Sequence, residues 1–206
     1  MSEPKILVLG GAGMLGHKMF QTLRERFPGT LCTTRRAADS PEISRFDRLW
    51  KGSAIPGVDV MKPVDLERTL REIRPDFMVN CVGVIKQRRE AHLPIPSITV
   101  NSLLPHQLAG MAANWGGRVI HFSTDCVFSG KRGQYTENDP SDAEDLYGKS
   151  KFLGEVAVSN ALTLRTSIIG RELSEHQSLL DWFLSQNHRK VRGFTRVIYS
   201  GVTTNH

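Results

Sequence analysis

A glycine run that follows an apolar strand and opens a helix constrains this chain more than any other feature. Lys5-Ile6-Leu7-Val8-Leu9 is a short apolar stretch, as expected of a parallel strand buried on both faces. It leads directly into Gly10-Gly11-Ala12-Gly13-Met14-Leu15-Gly16. From Met14 to Phe27, apolar residues fall at Leu15, Met19 and Leu23 with Phe20 and Phe27 beside them, and Pro28-Gly29 stops the pattern. That is helical spacing with a breaker. The run meets both the GxGxxG spacing (Gly11, Gly13, Gly16) and the wider GxxGxxG spacing (Gly10, Gly13, Gly16). Strand, glycine turn and helix in this order form the context a dinucleotide site requires. One glycine permits the tight turn, one lets backbone approach a pyrophosphate, and one lets helix pack closely on strand. The helix N-terminus then offers free N–H groups and partial positive charge to phosphates. Gly10, Gly13, Met14, Leu15 and Gly16 are the expected contacts.

The pattern continues as alternating strands and helices. Thr30 to Thr34 reads as a second strand and Val58-Asp59-Val60 as the end of a third, with nothing regular enough to assign between Ala37 and Pro56. Val64, Leu66, Leu70 and Ile73 mark one helix face, closed by Pro75. Asp76 to Gly83 is a fourth strand, followed by a polar, Pro-broken insertion to about Ile98 and a helix from there to Trp115. Gly117 to Ser123 and Leu162 to Thr166 are a fifth and a sixth strand, with a helix around Tyr147 to Val158 between them. Right-handed crossovers then give an α/β fold: a Rossmann-type, doubly wound parallel sheet with helices on both faces.

Charge narrows the ligand. The chain of 206 residues carries a formal charge of +6, but its basic residues are scattered apart from Arg35-Arg36, Lys86 to Arg89 and His188 to Arg192. No basic stripe interleaved with aromatics marks a nucleic-acid surface, and a phosphorylated cofactor is an equally good sink for modest positive charge. An NAD site usually places an acid about 20 residues beyond the glycines. Here the second strand ends in Thr33-Thr34-Arg35-Arg36, with no acid until Asp39. Arginine pairs with a 2′-phosphate and has no comparable use for a free hydroxyl. NADP(H) is therefore the expected cofactor, with NAD(H) possible. Asp59, with Val60 beside it, could accept a hydrogen bond from adenine or cap the next helix.

Tyr147 and Lys151 are four residues apart and share a helix face. A phenol of reference pKa about 10 is a poor acid at neutral pH, and a neighbouring ammonium brings it toward the working range. The same lysine can hold the nicotinamide ribose. Thr124, in Ser123-Thr124-Asp125-Cys126, lies at the carboxyl end of the fifth strand, where doubly wound sheets place their ligands. A hydroxyl there can donate to a carbonyl oxygen as negative charge develops on it.

At this point the chain resembles a known family. Gly10 to Gly16, Ser123 to Gly130, Tyr135-Thr136-Glu137, Tyr147 to Lys151 and Leu164-Arg165-Thr166-Ser167 are similar, in order, to the extended short-chain dehydrogenase/reductases. Within these they are most similar to the dTDP-4-dehydrorhamnose reductases and related 4-keto-6-deoxy nucleotide-sugar reductases. The resemblance implies Thr124, Tyr147 and Lys151 as the catalytic set, with hydride passing from nicotinamide to C4 of the sugar and Tyr147 protonating the alkoxide. It implies Thr124, Asp125 and Cys126 beside the substrate, Lys86 near the nucleotide diphosphate or sugar, and Asn101 shaping the active-site helix. The family pattern has Tyr where this chain has Cys126 and Asp where it has Ser129. The related dehydratases carry an Asp-Glu pair after the threonine, which Asp125-Cys126 lacks. Epimerases and reductases of UDP-linked N-acetylated sugars share the triad. A regulatory subunit of methionine adenosyltransferase shares the fold, so a cofactor-sensing role is the non-enzymatic alternative.

The family's smaller carboxyl-terminal lobe should begin near Gly170. About 36 residues from there to His206 cannot build a lobe with its own core, so a cofactor domain over 1–170 and an incomplete substrate lobe over 171–206 are expected. Three cysteines without metal spacing suit a reducing cytoplasm. No apolar run approaches the roughly 20 residues of a membrane span. A homodimer is a possible assembly.

Overall fold

The computed structural model of the chain describes residues 3–50, 52–86, 92–174, 176 and 178–205, with side chains at all of these except 42, 43 and 47. Residues 87–91 of the polar insertion expected after the fourth strand lie outside the described residues. Six parallel strands form one sheet in the order β3-β2-β1-β4-β5-β6. They are β1 (Ile6–Leu9), β2 (Leu31–Thr33), β3 (Ala54–Ile55), β4 (Phe77–Asn80), β5 (Arg118–Thr124) and β6 (Ala161–Thr166). The order reverses between β1 and β4, which leaves a crevice outside their carboxyl ends.

Each face of the sheet has its own core. Leu7, Leu9, Met78 and Val119 pack on one face with Leu66 and Leu70 of α4 (Pro63–Ile73) and Leu104 and Leu108 of α6 (Leu104–Ala113). Ile6, Val8 and Val79 pack on the other with Phe20 of α1 (Met14–Arg26) and Trp50 of α3 (Asp47–Trp50). All four residues of β1 are buried, as its unbroken apolar run demands. The segment without a sequence assignment folds as α2 (Pro41–Arg45), α3 and β3.

Three boundaries depart from the sequence reading, each for a local reason. The third strand is Ala54–Ile55, and Val58 to Val60 lie beyond it. Pro56 has no N–H to extend the ladder, and Gly57 turns the chain at φ +75°. The helix expected from Ile98 begins as α5 (Pro94–Ser97) and passes through a π-helical turn (Ile98–Leu103) into α6. Pro105 cannot donate to the Asn101 carbonyl four residues back, and a wider turn is one way a helix absorbs that loss. The active-site helix α7 (Leu146–Leu153) ends well before Val158. A side chain on Gly154 would overlap the Asn101 carbonyl oxygen, so the chain leaves the helix where it meets the π turn.

Beyond the main sheet, β7 (Ile168–Ile169) pairs in parallel with β8 (Val202–Thr203), and α8 (Leu179–Ser185) lies between them in sequence. No helix among the described residues is long and apolar enough to cross a membrane.

Candidate active site

The glycine turn divides its labour among four glycines. Gly10 takes φ +84°, a region closed to most side chains, and its carbonyl accepts from Gly13 N at 2.9 Å. A Cβ on Gly11 would sit 2.6 Å from the Cys32 sulfur, and one on Gly16 would overlap the Gly10 carbonyl oxygen. Gly13 caps α1 without a side-chain hydrogen bond, and the first turn carries no acid. The leading N–H groups of α1, around Met14 and Leu15, thus meet no competing carboxylate, which fits a pyrophosphate. His17 uses Nδ1 on the Gly13 carbonyl at 2.9 Å. Its charged form is disfavoured, first by burial.

Gly10 also abuts the chain just past β4, since a Cβ there would meet Val82 at 3.0 Å. The turn therefore stands at the point where the strand order reverses. Arg35 and Arg36 lie just past β2, after the buried Thr34, and are exposed at the same end of the sheet. Asp59 accepts from Met61 N at 3.0 Å, while Lys62 takes the N-cap position of α4. Asp59 is thus not the helix cap, and Val60 beside it is half-buried.

One face of α7 is laid onto β5. The Thr124 hydroxyl stands beside the Tyr147 phenol and favours its ionised form. Thr124 Oγ1 also donates to Asp125 at 3.1 Å and accepts from Cys126 N at 3.1 Å, which orients it at the strand end. Lys151 is 5% exposed and donates to the Phe122 carbonyl at 2.6 Å. The phenol departs from expectation here. Burial pushes Tyr147 up to about 12, opposed mainly by the Thr124 hydroxyl. Burial also brings Lys151 down to about 8, opposed by the Glu155 carboxylate. The lysine is poised for proton exchange near neutrality, whereas the tyrosine rests as a protonated phenol.

Asn101 braces this helix. Fully buried on the π turn, it accepts from Val84 N at 2.9 Å and donates to Val84 O at 3.1 Å and Ser150 Oγ at 3.2 Å. Its amide is spent on the protein, so it positions Gly83-Val84 and α7. Lys86 does not stand alone. It pairs with Asp145 at 2.6 Å, the N-cap of α7, whose carboxylate also accepts from Gly148 N at 2.7 Å. Asp125 is exposed beside Thr124, and burial pushes the half-buried Cys126 thiol up, which argues against a thiolate nucleophile.

Two groups in the wall escaped the sequence reading. Asn80 Nδ2 meets His121 Nδ1 at 3.0 Å while its Oδ1 accepts from Val82 N at 3.1 Å. That network assigns the neutral His121 proton to Nε2, the one buried side-chain nitrogen or oxygen without a partner among the described residues. Glu155 receives Ser123 Oγ at 2.8 Å and the Arg165 fork at 2.8 and 2.7 Å. The available signal for Glu155 was its spacing, eight residues after Tyr147. His121 carried none, because inward-facing histidines in strands are usually plain core.

Comparison with known proteins decides the family. The model of the RmlD substrate binding domain matches residues 4–187. The chain belongs to this family. Among curated relatives, a dTDP-4-dehydrorhamnose reductase of Burkholderia thailandensis is 34% identical over 114 residues, covering 53% of this chain and 38% of its own length. Methionine adenosyltransferase 2 subunit beta of Danio rerio is 28% identical over 83% of this chain and 50% of its own. The family fold extends to a solved dTDP-4-dehydrorhamnose reductase of Clostridium acetobutylicum, with TM-score 0.74 and 20% identity over 98% of this chain and 66% of that one. The chain spans about half the length of the curated relatives it matches.

Proposed function

We propose that the protein reduces the 4-keto group of a nucleotide-linked deoxy sugar with NADPH, in the cytoplasm, as a step toward a surface polysaccharide. The observation that carries this reading is the α7 face that sets Lys151 on the Phe122 carbonyl of β5 and the Tyr147 phenol beside the Thr124 hydroxyl at the strand's carboxyl end. When bound, a nicotinamide cofactor supplies the hydride. Gly10, Gly13, Met14, Leu15 and Gly16 hold its pyrophosphate, Arg35 and Arg36 its 2′-phosphate, and Asp59 and Val60 line the adenine end. Thr124 donates to the substrate carbonyl oxygen, and Tyr147 hands its proton to that oxygen as negative charge builds. Lys151 holds the ribose and returns a proton to Tyr147. Asp125 and Cys126 flank the sugar, and Lys86 can exchange Asp145 for a diphosphate oxygen. Residues 171–206 begin the substrate lobe, and a homodimer is the assembly we favour.

The similarity to methionine adenosyltransferase 2 subunit beta supports a second reading, a cofactor-sensing subunit without turnover. A sensor has no use for a proton donor on Thr124, which favours the enzyme. The test mixes the protein with NADPH and dTDP- or UDP-linked 4-keto-6-deoxy sugars and follows nicotinamide absorbance. Loss of absorbance with at least one sugar is expected. Tight NADPH binding with no turnover on any of them would favour the sensor and overturn the reductase.

A further inference from the structure

Three side chains, two on α7 and one just past its end, reach onto consecutive residues of β5. Tyr147 meets Thr124, Lys151 meets the Phe122 carbonyl, and Glu155 meets the Ser123 hydroxyl between them. The first two belong to the proposed site, and the third has no assigned role. Glu155 is partly buried, with its side chain 14% exposed, and both its oxygens are engaged by Arg165. Arg165 stands on β6 opposite Ser123 and also lies 5.0 Å over the Phe128 ring. Phe128 in turn stacks on Tyr135 at 4.4 Å. The carboxylate therefore grips β5 one residue before Thr124, and its partner arginine pins the loop four residues after it.

We propose that Glu155 is a positioning residue of the site: held on Ser123, next to the Phe122 carbonyl that binds Lys151, it fixes the strand end that presents Thr124 and sets a negative charge near the ammonium. A bidentate guanidinium–carboxylate pair is geometrically stiff, so the Ser123 hydroxyl and the threonine after it are held in one register with α7. The Glu155 charge also acts on Lys151 against burial. The other titratable groups on elements packed against α7 are Arg118 and His121 on β5, Asp125 and Cys126 just beyond it, and His106 of α6, whose ring meets the Leu153 carbonyl at 2.9 Å. Tyr147 lies one turn back on α7 itself, and α5 and the π turn carry none. His121 is kept neutral, first by burial, and Cys126 is held as a thiol. Glu155 is thus the acid placed to keep the Lys151 ammonium charged, with Arg165 restraining it from the β6 side.

The proposal rests on the reductase reading for its catalytic meaning, but its first test needs no substrate and so does not depend on that reading. NMR of the lysine Nζ or Cε in the full chain, assigned with Lys151→Met, reads the Lys151 titration midpoint in wild type and Glu155→Gln. The amide keeps an oxygen for Ser123 and removes the charge, so the midpoint falls by about one unit. A merely structural role loosens the site toward water and moves the midpoint up. A midpoint that rises or stays in place in folded Glu155→Gln therefore overturns the proposal. Should that variant not fold, Ser123→Ala leaves every charge in place. It lowers kcat about ten-fold with KM and NADPH affinity near wild type, and an unchanged kcat overturns the proposal.

Discussion

Lys151 donates to the carbonyl oxygen of Phe122 at 2.6 Å, which plants the reactive face of α7 on β5 and buries an ammonium in the wall of the proposed site. Burial brings that ammonium down to about 8. The charged form, which holds the ribose and resupplies Tyr147, is present below that value and lost as pH rises through it. Turnover should therefore fall on the alkaline side with a midpoint near 8. A rate profile flat to the ordinary lysine range would contradict the assignment.

His121 sets an acid limit on stability. Its folded form resists protonation down to about 3, against an ordinary imidazole value of 6.5, because it is buried and faces Lys151 and His106. Between those values the unfolded chain binds more protons, so stability declines as pH falls through the window. Thermal unfolding of His121→Gln should show a shallower loss from pH 6.5 toward 4 than wild type. His17, also lowered, supplies the slope that remains. Parallel curves for the two proteins would remove His121 from the account.

The glycines should respond in opposite ways. Gly16→Ala puts a methyl group into the Gly10 carbonyl and should cost about 1–3 kcal/mol, with NADPH affinity down more than about ten-fold. Gly29→Ala meets nothing within 4 Å and should be neutral or slightly stabilising by restricting the unfolded chain. Urea titrations of both variants check this. Comparable losses at the two positions would count against the close approach of α1 to the turn.

These contrasts show how far the sequence could be read. The sheet was legible because β1, β4 and β5 are apolar runs bounded by Gly, Pro or a polar turn, and the glycine spacing placed the phosphate site. The π turn was hidden because its cause, Pro105 leaving the Asn101 carbonyl without an N–H, becomes visible only once a helix is known to run through it. Spacing put Tyr147 and Lys151 on one face, but the direction of the Tyr147 shift depends on burial, which a local pattern does not report. Lys86 read as a lone cation because its partner Asp145 lies 59 residues on in the chain.

Asp145 separates the worth of a cap from that of an ion pair. Asp145→Ala removes both the α7 cap and the Lys86 pair and should cost about 1 kcal/mol. Lys86→Ala removes only a half-exposed pair, worth roughly 0–1 kcal/mol. Chemical denaturation should rank the two in that order. A larger loss for Lys86→Ala would mean the pair, rather than the cap, starts the helix.

The cofactor preference lies with Arg35 and Arg36, exposed just past β2. Replacing both by Ala should narrow the preference for NADPH over NADH, measured as the ratio of the two affinities. An unchanged ratio would refute their role at the 2′-phosphate.

The most direct test is Tyr147→Phe, which removes one oxygen from the pair with Thr124 and leaves the ring in place. NADPH affinity and turnover of a 4-keto nucleotide sugar are measured on the same preparation. The account predicts that turnover is abolished while NADPH affinity stays near wild type. Retained turnover, or parallel loss of both, would contradict Tyr147 as the proton donor.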